Sequence, residues 1–396
     1  MCILKNNNNN TNNCDGNNNK RHSMANTLGP SSSKKWNSGT LLNLRTPVYA
    51  LQIEGSKFDS FAGSVVQAQS LTTLLLENSV FNLRPHNQST KGVSVVVIDI
   101  QGNQITTINN CSFQMISSMV TKQLYAIKVK MQNPLSFQVS KSSFSNFTYT
   151  NLITVTLNGS LPSSFGISDT TFQYVSFGTL IDVSTLTSIT TNSYFNFSVS
   201  QSKITDLKQA IVNVAAPTSL QFANTTFQNF NGFQLYCTNC PFMSIQDSVF
   251  DNIDNSNSKY NKIMSFFSSP AAASIFNDLD TGVLVQNVIF SRIAQLYNTH
   301  LLFNVSHAER FELVNVSIVD SKFPCMYTMV SRVNVKGVYI KNVIAPKAAS
   351  FNWLWRFGIY PGVWYNSDHG EREFYLCTTK HFKEEGKRKK NFVIFF

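Results

Sequence analysis

Six side chains in the second half of the chain carry acid, base or cationic chemistry at regular intervals. Asp254 lies in Asn252-Ile253-Asp254, Asp278 and Asp280 form D-x-D, His307 follows, and Arg332 and Lys336 close the series. Intervals of about 25 residues would set them on successive turns of a repetitive chain. Two carboxyls, one protonated and one ionised with a water between them, are what inverting glycoside hydrolysis needs. Elsewhere, Cys237-Thr238-Asn239-Cys240 is a C-x-x-C without the second ligand pair that a tetrahedral zinc site requires. It reads first as two small residues at a chain corner and second as a local disulfide. His300 and His307 have no nucleophile motif beside them, so serine or cysteine catalysis has no support. Asp368-His369-Gly370 and the GKRKK run at 386–390 read as solvated residues near the chain end.

The elements that would position these groups follow an eleven-residue template, Φ-x-Φ-x-N-x-x-F-x-x-Φ, that recurs from about residue 48 to 345. Its aromatic position is held by Phe58, Phe81, Phe113, Phe144, Phe172, Ile204, Phe227, Phe250, Phe290, Ile318 and Ile340. Three residues earlier stand Gly55, Asn78, Asn110, Lys141, Asp169, Gln201, Asn224, Asp247, Asn287, Asn315 and Gly337. Nine of these eleven are Asn, Asp or Gly, the types that enter left-handed backbone most easily. The pattern predicts a strand of period two, an αL corner, then a strand led by Phe, with a further short strand after most copies. Copies are 22 to 40 residues apart, as if loops were extruded from a bare coil of about 22. One coil cannot hide its own Phe and Ile side chains. Coils stacked about 4.8 Å apart can, which would align the Phe residues in a column and the corner residues in a ladder. Eleven such coils would measure on the order of 50 Å.

The corner ladder, the trailing S/T-x-F-x-N phrase and the irregular coil length resemble right-handed parallel β-helix proteins of the pectin-lyase-like superfamily. The resemblance is to their repetitive surface proteins in protists and bacteria, and it covers about three quarters of the chain. It implies an all-β solenoid of about eleven coils. Hydrolases of this kind show N-x-D, D-D, G-H-G and R-x-K in chain order. Here D-x-D replaces D-D, His307 sits in V-S-H-A, and R-V-N-V-K is too long. Asp254, Asp278, Asp280 and His307 therefore remain weak catalytic candidates, and the expectation is a chain that is not an enzyme and holds no metal or cofactor. A lyase would want clustered Asp for calcium, which the sequence lacks.

Composition bounds the partners. The net charge of +11 resides mainly at the ends, +4 within residues 1–35 and +4 within 380–396, leaving +3 for the 344 residues between. Without a basic stripe along the repeats, nucleic acid is not an expected partner. Residues 1–39, rich in Asn and then Ser and Lys, are expected to be disordered. Residues 40–345 hold the repeats. Residues 346–396, Trp-rich and then basic, read as a cap or as non-native sequence. The N-terminus has no apolar core of a signal peptide, and no run reaches the roughly 18 apolar residues of a membrane span. The seven Cys do not form a disulfide framework, and the nine N-x-S/T sequons are no more than this composition generates.

The functional expectation is a non-catalytic structural, display or adhesion rod. It would belong to a cell-surface or secreted parent protein, reach a membrane only through an anchor absent from this chain, and meet carbohydrate or other surface proteins through its coil loops. The alternatives are a polysaccharide-acting or polysaccharide-binding β-helix and a truncated fragment without independent function.

Overall fold

The protein was analysed as a computed structural model. It describes residues 2–5, 22–25, 40–61, 64–84, 95–116, 124–186, 194–255, 262–267, 281–294, 301–322, 325–342, 359–365, 374–379 and 390–395. The described residues are all-β, and no helix among them is long and apolar enough to cross a membrane. Two compact units are present, Met1–Thr190 with Phe195–Lys203, and Thr191–Tyr194 with Ile204–Phe396.

In the first unit successive template copies pair in parallel and in register. Ile53 faces Leu76, Leu76 faces Ile108, Ile108 faces Val139, and Val139 faces Ile167. The aromatic positions match in the same way, Phe58 with Phe81, Phe81 with Phe113, Phe113 with Phe144, and Phe144 with Phe172. Their rings form a face-to-face column with centroids 5.0, 4.6, 4.9 and 5.1 Å apart. Parallel strands alone account for a rise of about 4.8 Å, so the ring stack follows from the ladder spacing. A coil in this unit has three strands, as in Ser164–Ser168, Thr171–Ser176 and Thr179–Thr185. A buried polar knot interrupts the apolar core: Thr106 Oγ1 donates to Asn103 Oδ1 at 2.7 Å, and Asn103 Nδ2 donates to the Leu71 and Ile105 carbonyls.

The second unit repeats the scheme. Phe222 faces Ile245, Ile245 faces Val285, and Val285 faces Leu313. Phe227 pairs with Phe250 and Phe250 with Phe290, the rings 4.3 and 5.0 Å apart, before Ile318 and Ile340 continue the register. Both units are parallel β-solenoids, since the strands of the template copies bond to the equivalent strands one coil away.

The two chain ends join their own units. Cys2–Lys5 pairs in parallel with His22–Ala25 and with Leu51–Glu54. The rest of the 1–39 tail, for which disorder is expected, lies outside the described residues. Near the C-terminus, Ile359–Tyr365, Phe374–Thr379 and Lys390–Phe395 form an antiparallel meander, and the last strand pairs antiparallel with Cys325–Val330. Such a strand covers backbone groups that an open sheet edge would leave free.

Candidate functional site

Each corner builds a small hydrogen-bonding device. All eleven corner residues have positive φ, from 49° at Asn78 to 64° at Gly337, including Lys141 and Gln201 at 49° and 50°. The residue after the corner is often a hydroxyl, which donates back across the turn. Ser79 Oγ donates to the Glu77 carbonyl, Ser142 to Ser140, Thr170 to Ser168 and Ser248 to Gln246, at 2.7 to 2.8 Å. The same oxygens accept from a backbone N–H one coil away. Ser79 accepts from Ser56, Ser142 from Cys111, and Ser248 from Thr225. Cys111 takes the hydroxyl's place in one coil, its buried thiol pointing to the Asn109 carbonyl. Burial, with the Ser79 and Asn109 backbone pulling the other way, pushes it up to about 11.

Outside this hydroxyl row runs the amide row. Asn110 donates to Asn78 at 2.7 Å in the first unit. In the second, Asn287 donates to Asp247 at 2.9 Å and Asn315 to Asn287 at 3.2 Å. Asp169 and Asn224 hold the same corner position with φ of 49° and 50°.

A second αL row lies five residues after the first and was not legible as such in the template. It comprises Asn146 and Tyr174 in the first unit, and Asp206, Asn229, Asn252, Arg292, Asp320 and Asn342 in the second. Asn229 donates to Asp206, Asn252 to Asn229 and Asn342 to Asp320, at 2.9 to 3.0 Å. The available signal was weak: Asn or Asp two residues after the Phe position, mixed with Tyr and Arg. Beside it Asp251 gathers Gln228, Ser291 and Arg292 from neighbouring coils. The Arg292 guanidinium holds its carboxyl below the usual range, helped by Ser291 and Gln228 and opposed by partial burial. In the first unit, burial pushes Asp99 up, against the pull of Lys128.

Of the four catalytic candidates, Asp254 alone has a described side chain. Asp254 is half-buried at the end of Val249–Asp254, its backbone between Asn231 and Ala294. Asp278 and Asp280 lie outside the described residues. His307 falls within Leu301–Val314 at a register shift between Ser306 and Ala308, and the described residues exclude its side chain and that of Arg332. Among the described residues no group of three or more His, Cys, Asp or Glu could hold a metal ion.

The C-x-x-C resolves as chemistry of another kind. Cys237 and Cys240 form a disulfide, both sulfurs buried, around the αL residue Asn239. This corrects the preferred reading of two small corner residues. The corner is there, and its tight turn brings the Cα atoms to 6.0 Å, within bonding reach.

The hydroxyl row is buried, so what the surface offers is the two amide rows plus a few exposed aromatics, among them Tyr149 and Tyr174 at 51% and 54% exposure. No protein-family model matches the chain, and neither a curated protein nor a solved structure matches it.

Proposed function

We propose that this chain is a non-catalytic β-solenoid scaffold for display or adhesion, of the pectin-lyase-like, right-handed β-helix kind found in repetitive surface proteins. The observation that carries the reading is where its polar side chains are committed. The corner amides and hydroxyls bond to the next coil, as in Asn287 between Asp247 and Asn315, so the repeated polar pattern serves stacking. Catalytic constellations need the opposite, polar groups held toward a substrate by a supporting shell. The buried Cys237–Cys240 disulfide favours an oxidising destination such as the cell surface or the extracellular space. Partners would be carbohydrate or other surface proteins.

The test has two arms. Purified chain incubated with neutral and acidic polysaccharides is expected to release neither reducing ends nor unsaturated products, and an antibody to the chain is expected to label intact, unpermeabilised source cells. Turnover that disappears in Asp254→Asn would replace this reading with the hydrolase alternative. Labelling only after permeabilisation would remove the surface assignment.

A further inference from the structure

Three aromatic residues occupy backbone positions that disfavour them. Tyr149, Tyr174 and Phe177 have φ of 53°, 55° and 55°. At the matching corners of other coils stand Asn146, Asp206, Gln209, Asn229 and Gly232. Bulky side chains rarely adopt this region, and strain of that kind points from geometry toward function. Burial does not compensate, because Tyr149 and Tyr174 are 51% and 54% exposed.

The rings are also arranged. Tyr149 and Phe177 lie face to face across adjacent coils, centroids 5.1 Å apart and planes 14° from parallel. Gly178 follows Phe177, and a Cβ there would collide with the Thr150 carbonyl. The glycine thus lets the two coils close up beneath the pair. Tyr174 stands at the preceding corner of the same coil as Phe177. Around them the register places Asn146, Thr148, Asn151, Gln173, Ser176 and Thr179, all amides or hydroxyls. No Lys or Arg occurs anywhere in residues 142–202.

We propose that Tyr149, Tyr174 and Phe177 form a stacking site for a neutral glycan, a pyranose lying on an outer face of the Tyr149–Phe177 stack with Tyr174 at the preceding corner. A pyranose presents an apolar C–H face to an aromatic π-face and directs its hydroxyls sideways, where the amide and hydroxyl rim can meet them. A nucleic acid could stack on the same rings but needs several phosphate-neutralising cations, whereas residues 142–202 hold none and the next coil sets only Lys208 beside the Gln209 corner. This scarcity of Lys and Arg disfavours an acidic polysaccharide for the same reason. The site names a partner for the scaffold and rests on that reading only in expecting binding without cleavage.

The experiment uses the full chain, titrated calorimetrically with cellohexaose, laminarihexaose and mannohexaose, and with polygalacturonate, poly(dT) and a polyproline peptide. At least one neutral hexasaccharide is expected to bind. The double variant Tyr149→Asn with Phe177→Asn should weaken that binding about tenfold or more. Its Tm should rise by about 1–3 °C per substitution, since Asn suits αL backbone, so lost binding is not lost folding. Tyr174→Asn serves as an independent second variant with the same expected directions. The proposal is overturned if no neutral hexasaccharide binds, if the variants bind unchanged, or if the only ligands are polygalacturonate, poly(dT) or the peptide. Release of reducing ends from a bound hexasaccharide would overturn the non-catalytic reading and leave the platform standing.

Discussion

An αL backbone costs a residue with a Cβ about 1–2 kcal/mol, of which glycine's greater unfolded-state entropy offsets about 0.4–1, and Asn escapes much of the cost by local hydrogen bonding. Lys141 and Gln201 carry the cost at corners where other coils use Asn, Asp or Gly. Lys141→Gly or Gln201→Gly is therefore expected to stabilise the chain by about 0.5 kcal/mol in urea melts. Asn287→Ala should do the reverse, losing a bond on each side and the αL tolerance together, at about 1–2 kcal/mol. Asp251 links stability to pH. Its carboxyl is held down chiefly by Arg292, so its contribution is complete above the unfolded value of about 4 and is lost as pH falls through the lower folded value. Urea melts at pH 7 and pH 3 should show a smaller acid loss in Asp251→Asn than in the parent chain. Because Arg292 is exposed, added salt should shrink the difference between them.

At the scale of elements, a buried Phe column runs through the core of each unit. Phe113 is fully buried between Phe81 and Phe144, its ring 4.6 and 4.9 Å from theirs. Phe113→Ala should cost about 3–5 kcal/mol, because coils pinned by backbone ladders cannot collapse into the cavity. Phe113→Ile should cost much less, since Ile204 and Ile318 already fill the same template position. Chemical denaturation of the two variants side by side checks the contrast. The strand pattern was legible because period two and the Phe position both face a buried column, and burial acts on residue type directly. The second αL row was legible only as the trailing Asn of the S/T-x-F-x-N phrase, because Tyr174 and Arg292 interrupt it at corners that the coil's turn imposes.

For the whole molecule, a solenoid made of nearest-neighbour contacts should tolerate the loss of a complete coil and reject half of one. Gln286 already pairs in register with Val314, and Asn287 and Asn315 are equivalent corners 28 residues apart. Deleting residues 287–314 should leave a folded β protein that melts somewhat lower, as read by circular dichroism. Deleting about half that span should abolish cooperative unfolding, because every later strand and corner would lose its partner one coil away. A folded half-coil deletion would show that the register is not what holds the second unit together.

The repeated residue types by themselves determined the parallel β-solenoid architecture. Each coil must solve the same burial problem with the same apolar and turn residues, so the solution is written eleven times over. Tertiary structure alone decided which polar side chains are consumed in stacking and which face outward. A hydrogen bond such as Asn110 to Asn78 spans 32 residues and exists only once the coils are in register. It also decided that Cys237 reaches Cys240 and that Tyr149 meets Phe177 on the surface, because both depend on where αL corners place neighbouring chain segments. Burial leaves a signature in residue type. Proximity across coils arises only after the chain has wound.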